Sequence, residues 1–168
     1  MAFSESINIK NVNDRLAFQQ GKSAPQVPEM EEAVLGAILI DKDSFSIVNE
    51  LISPSGFYNE SHQIIYQAML ELYTNAEPID TISVVRQLRK SGQIQKIGGA
   101  KYIATLSSKV NSSANIEYHA MAISQAAVKR EMIGVANEIM SEGFSDTNDI
   151  FDLLNKTEQS FFSISEKN

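Results

Sequence analysis

The chain has 168 residues, 43% of them apolar, enough to bury a sizeable core in one domain or in a small domain with a tail. A formal net charge of −7 argues against direct nucleic-acid binding, which needs a basic surface, and the absence of cysteine excludes disulfides and thiolate metal sites. No apolar run has the length of a membrane span or the place of a signal peptide, so a soluble cytoplasmic protein with no membrane role is expected.

Residues 1–23 are polar, lack a sustained period and carry Gly21, and are read as a mobile arm. Pro25 and Pro28 stop any earlier helix and prepare the next one. Residues 24–110 then read as a head of short amphipathic helices that ends in the first arm of a hairpin. Met30, Ala33, Val34, Ala37 and Ile38 fall at helical spacing. A short helix from Ser44 to Leu51 turns Phe45, Val48 and Leu51 inward and stops at Pro54 and Gly56. Asn59 is a plausible cap for a helix with a broad stripe of Ile64, Ile65, Ala68, Met69, Leu72 and Tyr73. Asp80 or Thr81 caps a fourth helix carrying Ile82, Val85 and Leu88, which stops at Gly92. Gly98 and Gly99 open a fifth, lined by Tyr102, Ile103, Leu106 and Val110. No strand pattern is seen.

Residues 111–142 read as the second hairpin arm. Between Asn115 and Ser141 only Gly134 interrupts the pattern, giving a helix of roughly 40 Å at about 1.5 Å per residue. Ser112, Ser113 or Asn115 could cap it. It carries two apolar stripes: Met121, Val128, Met132, Val135 and Ile139 form one, Ile116, Ala120, Ile123 and Ala127 the other. A surface helix needs a single buried face. Either both stripes lie in one monomer's core, or a second copy covers one of them in a four-helix packing about a two-fold axis, the reading preferred here. Residues 143–168 form a linker and a terminal helix, capped by Asp146 or Thr147 with Asp149 in its first turn. Ile150, Leu153, Leu154, Phe161, Phe162 and Ile164 share one of its sides. Such a helix is marginal alone, so it packs on its own head or docks on another subunit or domain.

Catalytic chemistry finds no support. Gly21-Lys22-Ser23 imitates the end of a phosphate-binding loop, but Leu16 stands where that motif needs glycine and Pro25 follows at once. His62 and His119 are more than fifty positions apart and are read as capping or surface residues. Glu29, Glu31 and Glu32 suit the first turn of a helix through its dipole alone. No catalytic, cofactor or metal residues are assigned.

Several motifs do carry a family resemblance. The run Pro28 to Asp41 has Glu29 and Glu31 two apart, then Val34-Leu35-Gly36, further apolar residues and Asp41. It is followed in order by Gly56-Phe57-Tyr58, His62 to Tyr66, Pro78-Ile79-Asp80, Gly98 to Ile103, Ala114 to Ala120 and Lys129 to Ile133. Together these resemble the amino-terminal domain of bacterial DnaB-type replicative helicases, over about Ala24 to Ile164. Met30, where alanine is common, and Pro28, where an apolar residue is usual, are departures that bear only on the start of the first helix.

The resemblance implies an all-α domain: a compact helical head, a long helical hairpin and a terminal linker helix. It implies a collar, a trimer of dimers paired through the hairpin, within a hexameric ring. The collar would receive the carboxy-terminal domain of a DnaG-type primase and, in some systems, a helicase loader. The linker helix would dock on the neighbouring subunit's RecA-like domain through Ile150, Leu154, Phe161 and Phe162. ATP and Mg would belong to the motor domain of the parent protein, and this chain would hold no cofactor. Oligomer or primase contacts are expected at Tyr102, Ile103, Leu106, Met121, Val128, Met132, Ile133, Val135 and Ile139. Changes at Tyr102, Ile133 and Ile139 are expected to disturb primase binding or collar geometry. Leu35, Phe57, Tyr58, Ile65 and Met69 are expected to hold the head. Two other readings stay open. One is a stand-alone adaptor or loader sharing the collar fold. The other is an unrelated helical regulatory or DNA-binding domain, which would want a basic recognition helix that the long helix, with Glu117, Glu131, Glu138 and Glu142, does not supply.

Overall fold

The computed structural model describes residues 22–145 and 149–166, and the expected arm over residues 1–21 and the proposed caps Asp146 and Thr147 lie outside them. Seven α-helices and no strand occur among the described residues. They are α1 (Pro28–Ile40), α2 (Ser44–Leu51), α3 (Glu60–Thr74), α4 (Thr81–Lys90), α5 (Ala100–Ser108), α6 (Ile116–Gly143) and α7 (Ile150–Glu166), with a 3-10 turn at Pro54–Gly56 between α2 and α3. Among the described residues two compact units are present, Gln26–Ala127 and a second made of residues 22–25, 128–145 and 149–166, divided within α6.

In the first unit α1 is central: α2, α3 and α5 pack on it, and α4 bridges α3 and α5. Its buried residues Val34, Leu35, Ala37, Ile38 and Leu39 cover more than one face, as befits a helix with neighbours on several sides. Phe45, Phe57 and Tyr66 stack in the core, with ring centroids 5.4 Å (Phe45–Tyr66) and 4.9 Å (Phe57–Tyr66) apart. Leu35, Phe57, Ile65 and Met69 are fully buried, as the sequence suggests, while Tyr58 is half-buried.

Gly36 explains part of the Val34-Leu35-Gly36 motif. A Cβ there would sit 2.4 Å from the backbone oxygen of Leu106 and 2.7 Å from Cγ2 of Val110. The small residue lets α1 and α5 touch backbone to side. Gly36→Ala is therefore expected to force the helices apart and cost about 1–3 kcal/mol, as overpacking does. A urea-unfolding midpoint equal to wild type would contradict this contact.

Local signals place the helix starts. The Asn59 side chain accepts from the Ser61 backbone N–H at 2.9 Å, as a cap should. At α4, Asp80 accepts from the Ser83 backbone N–H at 2.8 Å, and the Ser83 hydroxyl returns to the Asp80 backbone N–H at 3.0 Å, a reciprocal capping box. These bonds, first the backbone one from Ser83, hold the Asp80 carboxyl below its usual range. A lowered value means the cap stabilises above the ordinary pKa of 3.8 and fades as pH falls through the folded value. Asp80→Ala should thus lower stability by about 1 kcal/mol at neutral pH, with the gap from wild type closing in acid. Asp41 acts similarly between elements, accepting from the hydroxyls of Ser113 (2.7 Å) and Ser44 (3.0 Å), which lower its pKa and anchor the segment before α6.

Two sequence expectations need correction. The inward face of α4 is Val84 and Leu88, whereas Ile82, on the opposite side of the helix at about 3.6 residues per turn, is 81% exposed. Elsewhere α5 packs on α1 and α4, and the Lys156 side chain of α7 pairs with Glu138 (2.7 Å) and Glu142 of α6. These carboxylates hold the Lys156 ammonium charged well above the usual lysine range. Finally, α7 begins at Ile150 with Asp149 accepting from the Phe151 N–H at 2.7 Å, so Asp149 caps the helix instead of lying in its first turn.

Candidate functional site

The long helix α6 carries two faces, and the structure separates them. Ile116, Ala120 and Ile123 belong to the head core, joined in burial by Ala126. From Val128 onward, in the second unit, large apolar side chains face outward. Ile133 and Met140 are exposed seven residues apart on one side of the helix, Met132 is exposed next to Ile133 in sequence, and Phe144 is exposed just past the helix end. On α7, Ile150, Leu154 and Phe161 are exposed at helical spacing, as are Phe151 and Phe162 eleven residues apart. Phe144 at 86% and Phe151 at 72% exposure are the most open apolar side chains of this unit. Exposing so many large apolar groups is costly, since covering each is worth about 1.5–3 kcal/mol. Concentrations of this kind mark interaction sites rather than ordinary surface.

Polar contacts fix the frame that presents these groups. The Lys156 pairs tie α7 to α6, and the Arg130 guanidinium donates to the Pro25 carbonyl at 2.8 Å, fastening the chain ahead of α1 to this unit.

A second feature lies in the head and involves Tyr102. Glu31 and His62 are each only 1% exposed. The Glu31 carboxylate accepts from the Tyr58 N–H (2.5 Å), the Asn59 N–H (3.3 Å) and Nδ1 of His62 (2.6 Å). On the other side of the ring, Nε2 of His62 lies 2.7 Å from the Tyr102 hydroxyl. With Nδ1 donating to the carboxylate, a neutral imidazole leaves Nε2 to accept from the phenol. The chain of groups joins α1, α3 and α5, and the His62 and Tyr102 rings lie parallel. The arrangement fixes the Tyr102 ring. Among the described residues there is no cluster of three or more His, Cys, Asp or Glu side chains suited to a metal.

Burial, then the charges of Glu32 and Glu31, push the Tyr102 pKa above its ordinary 10.0. Burial does the same to Tyr66 in the core. A raised phenol pKa contributes stability that is complete below 10.0 and lost as pH rises through the folded value. Tyr102→Phe is expected to be less stable than wild type at neutral pH, through the lost bond to His62. Above about pH 10 its stability should fall less steeply with pH. Equal slopes in pH-dependent chemical denaturation would rule out the phenol as a contributor.

The expected contact residues therefore divide. Ile103 and Leu106 are wholly buried in the head core and have no surface to offer a partner, because α5 is enclosed by α1 and α4. Tyr102 is half-buried. Met121, Met132 and Ile133 are exposed, and Val128, Val135 and Ile139 are half-buried along α6. Ile150, Leu154, Phe161 and Phe162 are exposed on α7. Sequence reasoning passed over Tyr118, Met140, Phe144 and Phe151, all exposed. The signal for Met140 and Phe144 was their seven- and eleven-residue spacing from Ile133. Reasoning from the sequence also took Glu31 for a dipole partner and His62 for a capping or surface residue, and the buried pair corrects both.

Comparison with known proteins places this geometry. The family model for the DnaB-like helicase N-terminal domain matches residues 23–125. The replicative DNA helicase DnaC of Bacillus subtilis (strain 168) is 33% identical over 156 residues, covering 93% of this chain. The chain spans only 33% of that relative's length. Among solved structures, the N-terminal domain of DnaB helicase from Mycobacterium tuberculosis superposes with a TM-score of 0.79 at 31% identity, over 84% of this chain and 99% of that one. The N-terminal domain of DnaB helicase from Helicobacter pylori, solved together with a study of its interactions with primase, shares the fold at a TM-score of 0.62 and 23% identity, over 79% and 99% of the two chains. By the extent of the family match and the agreement of fold, the chain belongs to the DnaB-like helicase N-terminal domain family.

Proposed function

We propose that this chain is the assembly and docking module of a replicative DNA helicase. The exposed apolar residues of α6 and α7 meet the same residues of a second copy, and three such pairs build a collar. The observation that carries this reading is the concentration of large exposed apolar groups on the two ion-paired helices, Met132, Ile133, Met140, Phe144, Phe151 and Phe162 among them. An isologous contact about a two-fold axis buries such a surface on both copies at once. The Lys156 pairs favour counting α7 within this surface, beside the role of docking on a neighbouring RecA-like domain.

The collar then receives the carboxy-terminal domain of a DnaG-type primase, and in some systems a loader. The Helicobacter pylori relative, studied for its interactions with primase, supports this partner. Because the chain spans a third of its Bacillus subtilis relative, the ATP- and Mg-dependent motor belongs to the parent protein in this reading. Calorimetric titration of the cognate primase carboxy-terminal domain into the chain tests the docking role. Saturable binding that is weakened by Ile133→Asp is the expected result. Heats no larger than dilution, with both proteins folded, would remove primase from the account.

A further inference from the structure

The head carries a groove that the assembly surface does not use. It lies between α4 and α5, holds about 440 Å³, and is lined by the apolar Ile82, Val85, Ala100 and Ala104 together with Thr81, Arg86 and Arg89. Ile82 is 81% exposed, and Val85, Ala100 and Ala104 of the same groove are half-buried or exposed. A contiguous apolar patch of this kind, unlike a single exposed residue, marks a place where another molecule docks. The surrounding charge supplies a direction. The chain as a whole is acidic at −7, yet Arg86 and Arg89 flank the groove, and exposed Lys90 and Lys101 stand next to Arg89 and Ala100 in sequence.

We propose that this groove captures an acidic linear segment of a partner protein, seating one bulky apolar side chain on Ile82, Val85, Ala100 and Ala104 and its carboxylates on Arg86 and Arg89. The ligand chemistry follows from both parts of the site. An apolar lining takes an aliphatic or aromatic anchor, and guanidinium groups take carboxylates in paired hydrogen bonds. Arg86 already pairs with Glu77 at 2.6 Å, but both side chains are largely exposed. Such a pair is worth little, so an incoming carboxylate competes with it readily. A single-stranded nucleic acid is disfavoured by the apolar lining, which offers isoleucine, valine and alanine where base stacking needs aromatic faces. The groove lies wholly within the head and does not depend on the collar reading.

The test is fluorescence anisotropy of the whole chain with a fluorescein-labelled peptide that alternates aspartate with leucine and phenylalanine. Saturable binding is expected, weaker in high salt. It should drop about tenfold or more in Arg89→Glu, the loss of a charge-assisted contact, and clearly in Ile82→Ser. Both residues are exposed, so thermal melting of the variants should match wild type, and Arg89→Gln serves if Arg89→Glu melts early. Val128→Asp, outside the head, should leave peptide affinity unchanged. Affinity untouched by the groove variants would overturn the proposal. So would equal binding of a peptide with serine in place of aspartate, or a labelled oligothymidylate that binds the groove in preference to the peptide. A change in the chain's own solution mass in Ile82→Ser, with peptide binding intact, would make the groove a contact between copies and also overturn it.

Discussion

Glu31→Ala is expected to destabilise the head by about 3–5 kcal/mol, the summed cost of leaving buried hydrogen-bond donors without their acceptor. Total stabilities of domains lie at about 5–15 kcal/mol, so this change removes a large share. The physical reason is the number of donors left behind. The carboxylate satisfies two backbone N–H groups and Nδ1 of His62 at a position closed to water. Alanine leaves all three without an acceptor, and each unsatisfied buried group costs about 1–3 kcal/mol. Glu31→Gln keeps an acceptor oxygen for one of them and should fall between alanine and wild type. Chemical denaturation gives the ordering. A loss below about 1 kcal/mol for Glu31→Ala, within the range of an ordinary surface substitution, would show that the triad does not hold α1, α3 and α5 together.

The double variant Val128→Asp with Met132→Asp is expected to break self-association while leaving the head folded. Met132 is exposed and Val128 half-buried, both in the second unit and outside the head core. Their replacement therefore leaves the core untouched. In an apolar contact each carboxylate would be desolvated without a partner, a cost of several kcal/mol, doubled by symmetry if the contact is isologous. Circular dichroism should show a wild-type helical spectrum and melting curve, and sedimentation should show monomers. An assembly of wild-type size in the double variant would move the contact elsewhere, for instance to Phe144 and Phe151.

Much of the fold was legible because the signals are local. Asn59 and Asp80 announce helix starts, Gly92 and Gly99 take positive φ (70° and 82°) where α4 has stopped and α5 begins, and the apolar spacing of α3 marks Ile65, Ala68, Met69 and Leu72 of its buried face, though Tyr73 is exposed. Of the two stripes of α6, Ile116, Ala120 and Ile123 are the core face, while in the other Met121 and Met132 are exposed, Val128, Val135 and Ile139 are half-buried, and the exposed Ile133 and Met140 lie outside it. What failed was everything requiring a neighbour in space. Ile103 and Leu106 have the same spacing whether they face a partner or a core, and only the packing of α1 and α4 around α5 decides. Likewise Glu31, beside Glu32 in a first turn, looks like a dipole partner until α3 brings His62 to 2.6 Å. Ile82 reads as core at helical spacing, but the packing of α4 turns Val84 and Leu88 inward and leaves Ile82 on the opposite side. The pairing of α7 with α6 rests on Lys156 and two glutamates fourteen and eighteen positions away, a separation that carries no periodic signature.

The central claim, that the exposed apolar face of α6 and α7 assembles copies of this chain, is tested most directly by its solution mass. Light scattering over a wide concentration range would give it without labels or partners. The account predicts a dimer at low concentration growing toward a hexamer as concentration rises. A strict monomer throughout, at a concentration where the chain is folded and soluble, would contradict it.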